Sequence, residues 1–87
     1  MDNKVQFETA VSKSRTLPQK PSNDELLKLY GLFKQGTEGD NNSERPGGFD
    51  FKGAAKYDAW KAFEGTEEEV ARTRYIILVD SLFTKYS

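Results

Sequence analysis

Apolar residues recur along this chain at intervals of three and four, and strict apolar–polar alternation never persists, so the pattern predicts helices and no strand. In a first segment, about residues 3–16, Val5, Phe7, Ala10, Val11 and Ser14 fall at helical spacing. Pro18 and Pro21 follow it. A proline fixes its own φ and disfavours the helical region for the residue before it, so residues 17–21 read as a stiff linker. A second helix opens at SNDE, where Ser22 can accept from the N–H of Glu25 while Glu25 reaches back, a reciprocal capping box. Asp24 and Glu25 also suit the positive end of the helix. Leu26, Leu29, Tyr30 and Phe33 share its apolar face, and Gly36 and Gly39 are expected to stop it near Gln35 or Thr37.

Residues 38–49, EGDNNSERPGGF, carry no periodicity and form a long connection of the kind that is either functional or mobile, with Arg45 and Pro46 placed to pin it. Helical spacing resumes at about 51–63 and ends at Gly65. The run TEEE then suggests a second capping box, Thr66 with Glu69, opening a helix to about Lys85, whose charge suits the negative end. Here Ala71, Tyr75, Leu78, Val79, Leu82 and Tyr86 form one broad apolar face, and Ile76 and Phe83 form another. A helix apolar on two sides is expected to be central and to touch more than one neighbour. The expected fold is all-α, a four-helix bundle in one domain spanning 1–87, without repeats or a low-complexity tail.

Composition narrows the chemistry. A chain of 87 residues can bury a core with little surplus, and without cysteine no disulfide or thiolate metal site can supplement it. There is no histidine either, which removes the commonest general base near neutral pH and the commonest zinc ligand. No serine–lysine motif, P-loop or EF-hand order replaces them, and Glu67, Glu68 and Glu69 are explained as helix-start charges. Catalysis is therefore disfavoured, and no cofactor or metal is expected. Thirteen basic and 14 acidic residues nearly cancel, which argues against a nucleic-acid binder but leaves room for a local basic cluster facing a compact polyanion. No apolar run approaches the ~18 residues of a membrane span. MDNKVQFETAVSKSR lacks the apolar stretch of a secretory signal, and no glycine follows Met1 for myristoylation. A soluble, cytoplasmic protein is the expectation.

What remains is a pairing of lysines with aromatic residues. Tyr30 and Lys34 lie four apart on one helix beside Phe33; Lys52 and Lys56 repeat the spacing on the next helix, followed by Tyr57; Tyr75 presents a phenol in the last helix. A ring offers a flat surface to a nucleobase, and lysine offers a compact charge to phosphate. Taken singly, each lysine reads first as a surface charge, Tyr30, Phe33 and Tyr75 read first as core or core-edge aromatics, and Trp60 reads as core. Spacing supports a small helical binding module and names no ligand.

The order of several motifs goes further. KP at 20–21, LY…KQ at 29–35, GD…ERPG at 39–47, FKGAAKYDAW at 51–60 and the later Tyr75 resemble the acyl-CoA-binding proteins, with similarity running from Phe7 to Tyr86. The resemblance implies an up-down-down-up bundle that binds medium- and long-chain fatty acyl-CoA esters without catalysis. By matching positions, Tyr30, Lys34 and Lys56 would hold the 3′-phosphate of the adenosine part. Tyr75 and Phe33 would contact the adenine region, and Lys52 and Arg15 would add basic contacts. Phe7, Ala10, Leu26, Leu27 and Ala55 would line the acyl groove. It further implies a monomeric carrier meeting acyl-CoA-using enzymes or a membrane surface only transiently. Three positions depart from the family pattern: Tyr57 where tryptophan usually follows the lysine, Phe33 where tyrosine is frequent, and Val11 at a small position. The alternative from another class is a helical protein-interaction module without ligand binding.

Overall fold

Helical periodicity becomes helix in the order the spacing predicts. The computed structural model describes residues 2–87, and among these α1 spans Lys4–Ser14, α2 Asn23–Glu38, α3 Phe51–Lys61 and α4 Glu68–Tyr86, with no strand. The capping box at α2 forms as expected: the Glu25 N–H donates to Ser22 Oγ at 3.2 Å, and the Ser22 N–H donates to Glu25 Oε1 at 2.8 Å. Gly39, at φ 78°, ends that helix. Gly36 does not; it lies buried inside the last turns, where a larger side chain would meet Arg72.

Three further expectations are corrected. α1 stops at Ser14 because Arg15 and Thr16 tighten into three-residue turns onto the carbonyls of Ser12 and Lys13. α3 stops at Lys61, and residues 62–65 continue as tight turns up to Gly65, at φ 86°. The Thr66–Glu69 capping box does not form. Thr66 belongs to the preceding turn, with its N–H bonded to Phe63 and its carbonyl accepting from Gln35, so Glu67 becomes the N-cap and makes no side-chain capping bond. α3 has a cap that the sequence reading passed over: Asp50 accepts from the Gly53 N–H at 2.9 Å.

The core is one cluster: Phe7 and Ala10 from α1, Leu29 and Leu32 from α2, and Ala71, Tyr75, Val79 and Leu82 from α4. Burying a side chain such as Leu32 or Leu82 contributes about 1.5–3 kcal/mol each, so α4, which packs on both α1 and α2, is central as expected. Val5, at helical spacing with the others, is 73% exposed; α1 packs chiefly on α4 and touches α2 through Phe7 and Phe33, and this position faces away from both.

Long-range bonds fix the helix directions. Lys85 and Tyr86, at the end of α4, reach Glu25 in the first turn of α2, while Arg72, near the start of α4, donates to the Gly36 carbonyl near the end of α2. These two helices are therefore antiparallel. Asn3 bonds Glu69 and Thr73 while Lys13 pairs with Asp80, so α1 runs parallel to α4. Lys56 lies over the Tyr30 ring and Lys34 over the Trp60 ring, so α3 runs parallel to α2. The result is an up-down-down-up bundle.

Arg72 has a specific task here. The last carbonyls of a helix lack intrahelical partners, and this buried guanidinium satisfies that of Gly36 at 2.8 Å while binding Asn3 Oδ1 at 2.7 Å. Its charge also complements the negative end of α2.

The long connection, residues 39–50, is stapled to α3. Trp60 Nε1–H donates to the Gly39 carbonyl at 2.8 Å, and Arg45 makes two 3.0 Å bonds to the Asp58 carboxylate. That fork holds the Asp58 carboxyl below the usual carboxylate range. Asp40 is lowered too, first by the Gly65 N–H and then by the Gln35 amide, which ties the exit of α2 to the α3–α4 turn. Trp60, expected in the core, is half-buried and serves as one of these fastenings.

Candidate functional site

Packed helices leave a groove along their contact, and Gly31 sets how closely α2 and α3 approach. A Cβ at Gly31 would lie 2.3 Å from the Ala59 carbonyl oxygen, so only glycine fits between α2 and α3. Beside that contact runs a groove of about 470 Å³. Leu26, Leu27 and Tyr30 line it from α2, Lys52, Ala55 and Lys56 from α3, and Lys20 and Asn23 from the linker and first turn. Six of the residues expected at the site therefore share one wall-and-floor arrangement. Apolar Leu26, Leu27 and Ala55 stand beside three lysines, and no carboxylate lines the groove.

The basic side chains are held by aromatic faces. Lys56 Nζ lies 5.4 Å from the Tyr30 ring centroid, and Lys34 Nζ lies 4.8 Å from that of Trp60. Such contacts orient an ammonium without neutralising it, which leaves its charge available to an anion. Lys34 is also paired with Glu38 one turn on, so binding a phosphate there means exchanging one anionic partner for another. Tyr30 and Lys56 border a second, smaller hollow with Tyr57 and Trp60. Tyr57, half-buried, thus sits on the same surface as the lysine before it.

Other expected residues lie elsewhere. Phe7, Phe33 and Tyr75 form an aromatic triad: Phe7 stacks on Phe33 at 5.8 Å and meets Tyr75 edge-on at 5.1 Å. Phe7 and Phe33 open onto a different groove, about 510 Å³, between α1, α2 and α4, where Val11 and Arg72 also lie. Tyr75 is 4% exposed; its hydroxyl donates to Ser14 Oγ at 3.3 Å, and Ser14 donates to the Val11 carbonyl. Ala10 is 5% exposed and belongs to the core cluster, opening onto neither groove. Arg15 is exposed just beyond α1 and lines neither groove. The expected acyl lining is thus divided, with Leu26, Leu27 and Ala55 in one groove, Phe7 in the other and Ala10 beneath the surface.

Lys20 and Asn23 are lining residues that residue-by-residue reasoning missed. The signal was present, since a lysine before Pro21 at the mouth of a capped helix is held in place by the stiff linker. Arg72 carried no comparable signal. On a helix surface an arginine reads as solvated, and its burial follows only from the carbonyl it meets.

An arrangement of apolar walls, aromatic faces and lysines suits a ligand with an apolar chain and an anionic head. Among the described residues no group of acidic side chains is gathered to hold a metal ion. Residues 4–79 match the family model described as Acyl CoA binding protein. The chain is 50% identical over 82 residues to acyl-CoA-binding protein homolog 1 of Caenorhabditis elegans, covering 94% of this chain and 95% of that one. It is 49% identical over 81 residues to the acyl-CoA-binding protein of Saccharomyces cerevisiae, with 93% of each covered. Among solved structures, acyl-CoA-binding protein 2 of Oryza sativa superposes with a TM-score of 0.92 at 43% identity, covering 97% of this chain and 93% of that one.

Proposed function

Because the chain belongs to the acyl-CoA-binding protein family, we propose that it binds medium- and long-chain fatty acyl-CoA esters, buffering and carrying them without transforming them. The observation that carries this reading is the α2–α3 groove, in which Leu26, Leu27 and Ala55 adjoin Tyr30, Lys52 and Lys56. We assign the 3′-phosphate to Tyr30, Lys34 and Lys56. A phosphate monoester is close to doubly charged at neutral pH and accepts several charge-assisted hydrogen bonds. Phe33 and Tyr75 take the adenine region, and Lys52 and Arg15 add charge around the headgroup. Leu26, Leu27 and Ala55 receive the acyl chain, Phe7 contributes from the neighbouring groove, and Ala10 acts through packing.

Each buried methylene contributes about 0.8 kcal/mol, so affinity rises with chain length until the groove is full. The carrier works in the cytoplasm as a monomer and meets acyl-CoA-using enzymes or membranes transiently. In support, no helix of the described residues is long and apolar enough to cross a membrane, and the sequence offers neither histidine nor cysteine for catalysis. Calorimetry with palmitoyl-CoA, free CoA and palmitate tests the reading. Saturable binding of the ester, tighter than of either half, is expected; a flat titration with palmitoyl-CoA overturns it. Light scattering checks the monomer.

A further inference from the structure

Phe49 and Phe51 project into solvent at the junction of the long connection with α3, 91% and 74% exposed. Their ring centroids lie 6.3 Å apart with planes at 74°, so they form a single apolar cluster. The backbone holds them out together: the Phe51 N–H donates to the Phe49 carbonyl at 2.9 Å, and Gly48 turns at φ 65° just before them. Asp50, between the rings, directs its carboxylate back to the Gly53 N–H as the cap of α3. Adjacent exposed rings held by a fixed turn are a feature that core packing does not account for.

Their position on α3 connects them to the groove. Phe51 lies four residues before Ala55, and Lys52 lies four before Lys56, so each pair shares a face of the helix. Ala55, Lys52 and Lys56 line the α2–α3 groove, and Lys20 joins them from the linker. The apolar strip of the groove therefore continues by one helical turn into the exposed cluster, with lysines running alongside.

We propose that Phe49 and Phe51 form a docking wedge for an anionic phospholipid bilayer. The rings enter the interfacial layer while Lys20, Lys52 and Lys56 face the lipid phosphates, so an acyl chain leaves the bilayer next to the groove that receives it. The proposal rests on the acyl-CoA reading for the identity of the cargo, but not for the docking itself. Apolar rings beside lysines are the chemistry of interfacial binding, and anionic lipid draws lysines within a Debye length. A bilayer also suits the shape: a specific protein interface needs roughly 800 Å² of complementary surface per partner, whereas two projecting rings need only a soft apolar layer.

The test is co-sedimentation of the ligand-free chain with vesicles of phosphatidylcholine alone or mixed with phosphatidylglycerol. The parent is expected to bind the mixed vesicles and to be released by high salt. Phe49→Ser and Phe51→Ser are each expected to weaken partitioning about 5–10-fold, given the apolar area withdrawn. Their calorimetric affinity for palmitoyl-CoA in vesicle-free buffer should match that of the parent. A Phe49→Trp chain carrying Trp60→Phe gives a second readout, in which brominated lipid should quench the indole. Failure of the parent to bind the mixed vesicles, equal sedimentation of parent and double serine variant, or an unquenched indole overturns the wedge. So does light scattering in which the parent pairs through these rings and the double variant does not, since the cluster is then a contact between copies. Because no ligand enters the vesicle experiment, its failure is distinct from a failure to bind palmitoyl-CoA.

Discussion

Gly31 and Gly36 lie in the same helix, yet alanine should have different effects at the two positions. Helix propensity alone predicts a gain of about 0.5–1 kcal/mol for replacing an interior glycine by alanine. At Gly31 the new Cβ would stand 2.3 Å from the Ala59 carbonyl oxygen, 2.8 Å from its carbon and 2.9 Å from a ring carbon of Phe63, where ordinary contact begins at 3.4 Å. Two of those atoms are backbone of α3 and cannot rotate aside, so the helices must separate. Overpacking of this kind costs about 1–3 kcal/mol, which outweighs the propensity gain. At Gly36 the nearest atom, at 2.8 Å, is Cγ of the Arg72 side chain, and the Arg72 backbone is already at ordinary distance, so the helices can keep their separation, and the cost is confined to shifting a side chain whose guanidinium is held by Gly36 and Asn3. Gly31→Ala is therefore expected to lower the melting temperature by about 5–10 °C, taking a net loss near 1 kcal/mol or somewhat more for a domain of this size. Gly36→Ala should move it by less than half as much. Because α2 and α3 are also the groove walls, Gly31→Ala should weaken palmitoyl-CoA binding in calorimetry as well. A Gly31→Ala chain that melts at or above the parent refutes the close-approach argument.

Lys34→Ala and Lys56→Ala are each expected to weaken palmitoyl-CoA binding by roughly 1.5–3 kcal/mol, the range for hydrogen bonds to charged groups; if both titrate like the parent, the phosphate assignment fails even where binding is real. Arg72→Met should cost about 1–3 kcal/mol in urea unfolding, because it leaves the Gly36 carbonyl buried without its donor; an unchanged midpoint would show that water or a local shift replaces the guanidinium. Glu25 is held at about 2, below its ordinary 4.5, first by the Lys85 ammonium and then by the Tyr86 hydroxyl and the Ser22 N–H. Its folded form is the better acid, so its stabilisation is complete above pH 4.5 and is lost as pH falls toward 2. Glu25→Gln should therefore flatten the fall of the urea midpoint across that window, and parallel profiles for variant and parent would argue against the latch.

Local chemistry in the sequence determined much of this protein. The capping residues Ser22 and Glu25, the break at Pro18 and Pro21 and the period of the apolar residues act within a few positions, so four helices were legible. The ordered motifs pointed to the family, and the i, i+4 lysines and tyrosine marked a candidate binding surface. Where a local signal competed with a distant one, the sequence misled. Gly36 looked like a stop signal but is a seat for Arg72, and Thr66 looked like a cap but gives its carbonyl to Gln35 from another helix.

Only the tertiary structure decided which residues meet. The sequence contains both Gly31 and Ala59 without showing that they touch, and their contact brings together the two walls of the groove. It likewise contains Phe7, Ala10 and Leu26 without showing that they end up in a second groove, in the core and in the first groove respectively. Periodicity sets the face a side chain occupies on its own helix. Which neighbour covers that face depends on how closely the backbones approach, and that is settled by packing over the whole bundle.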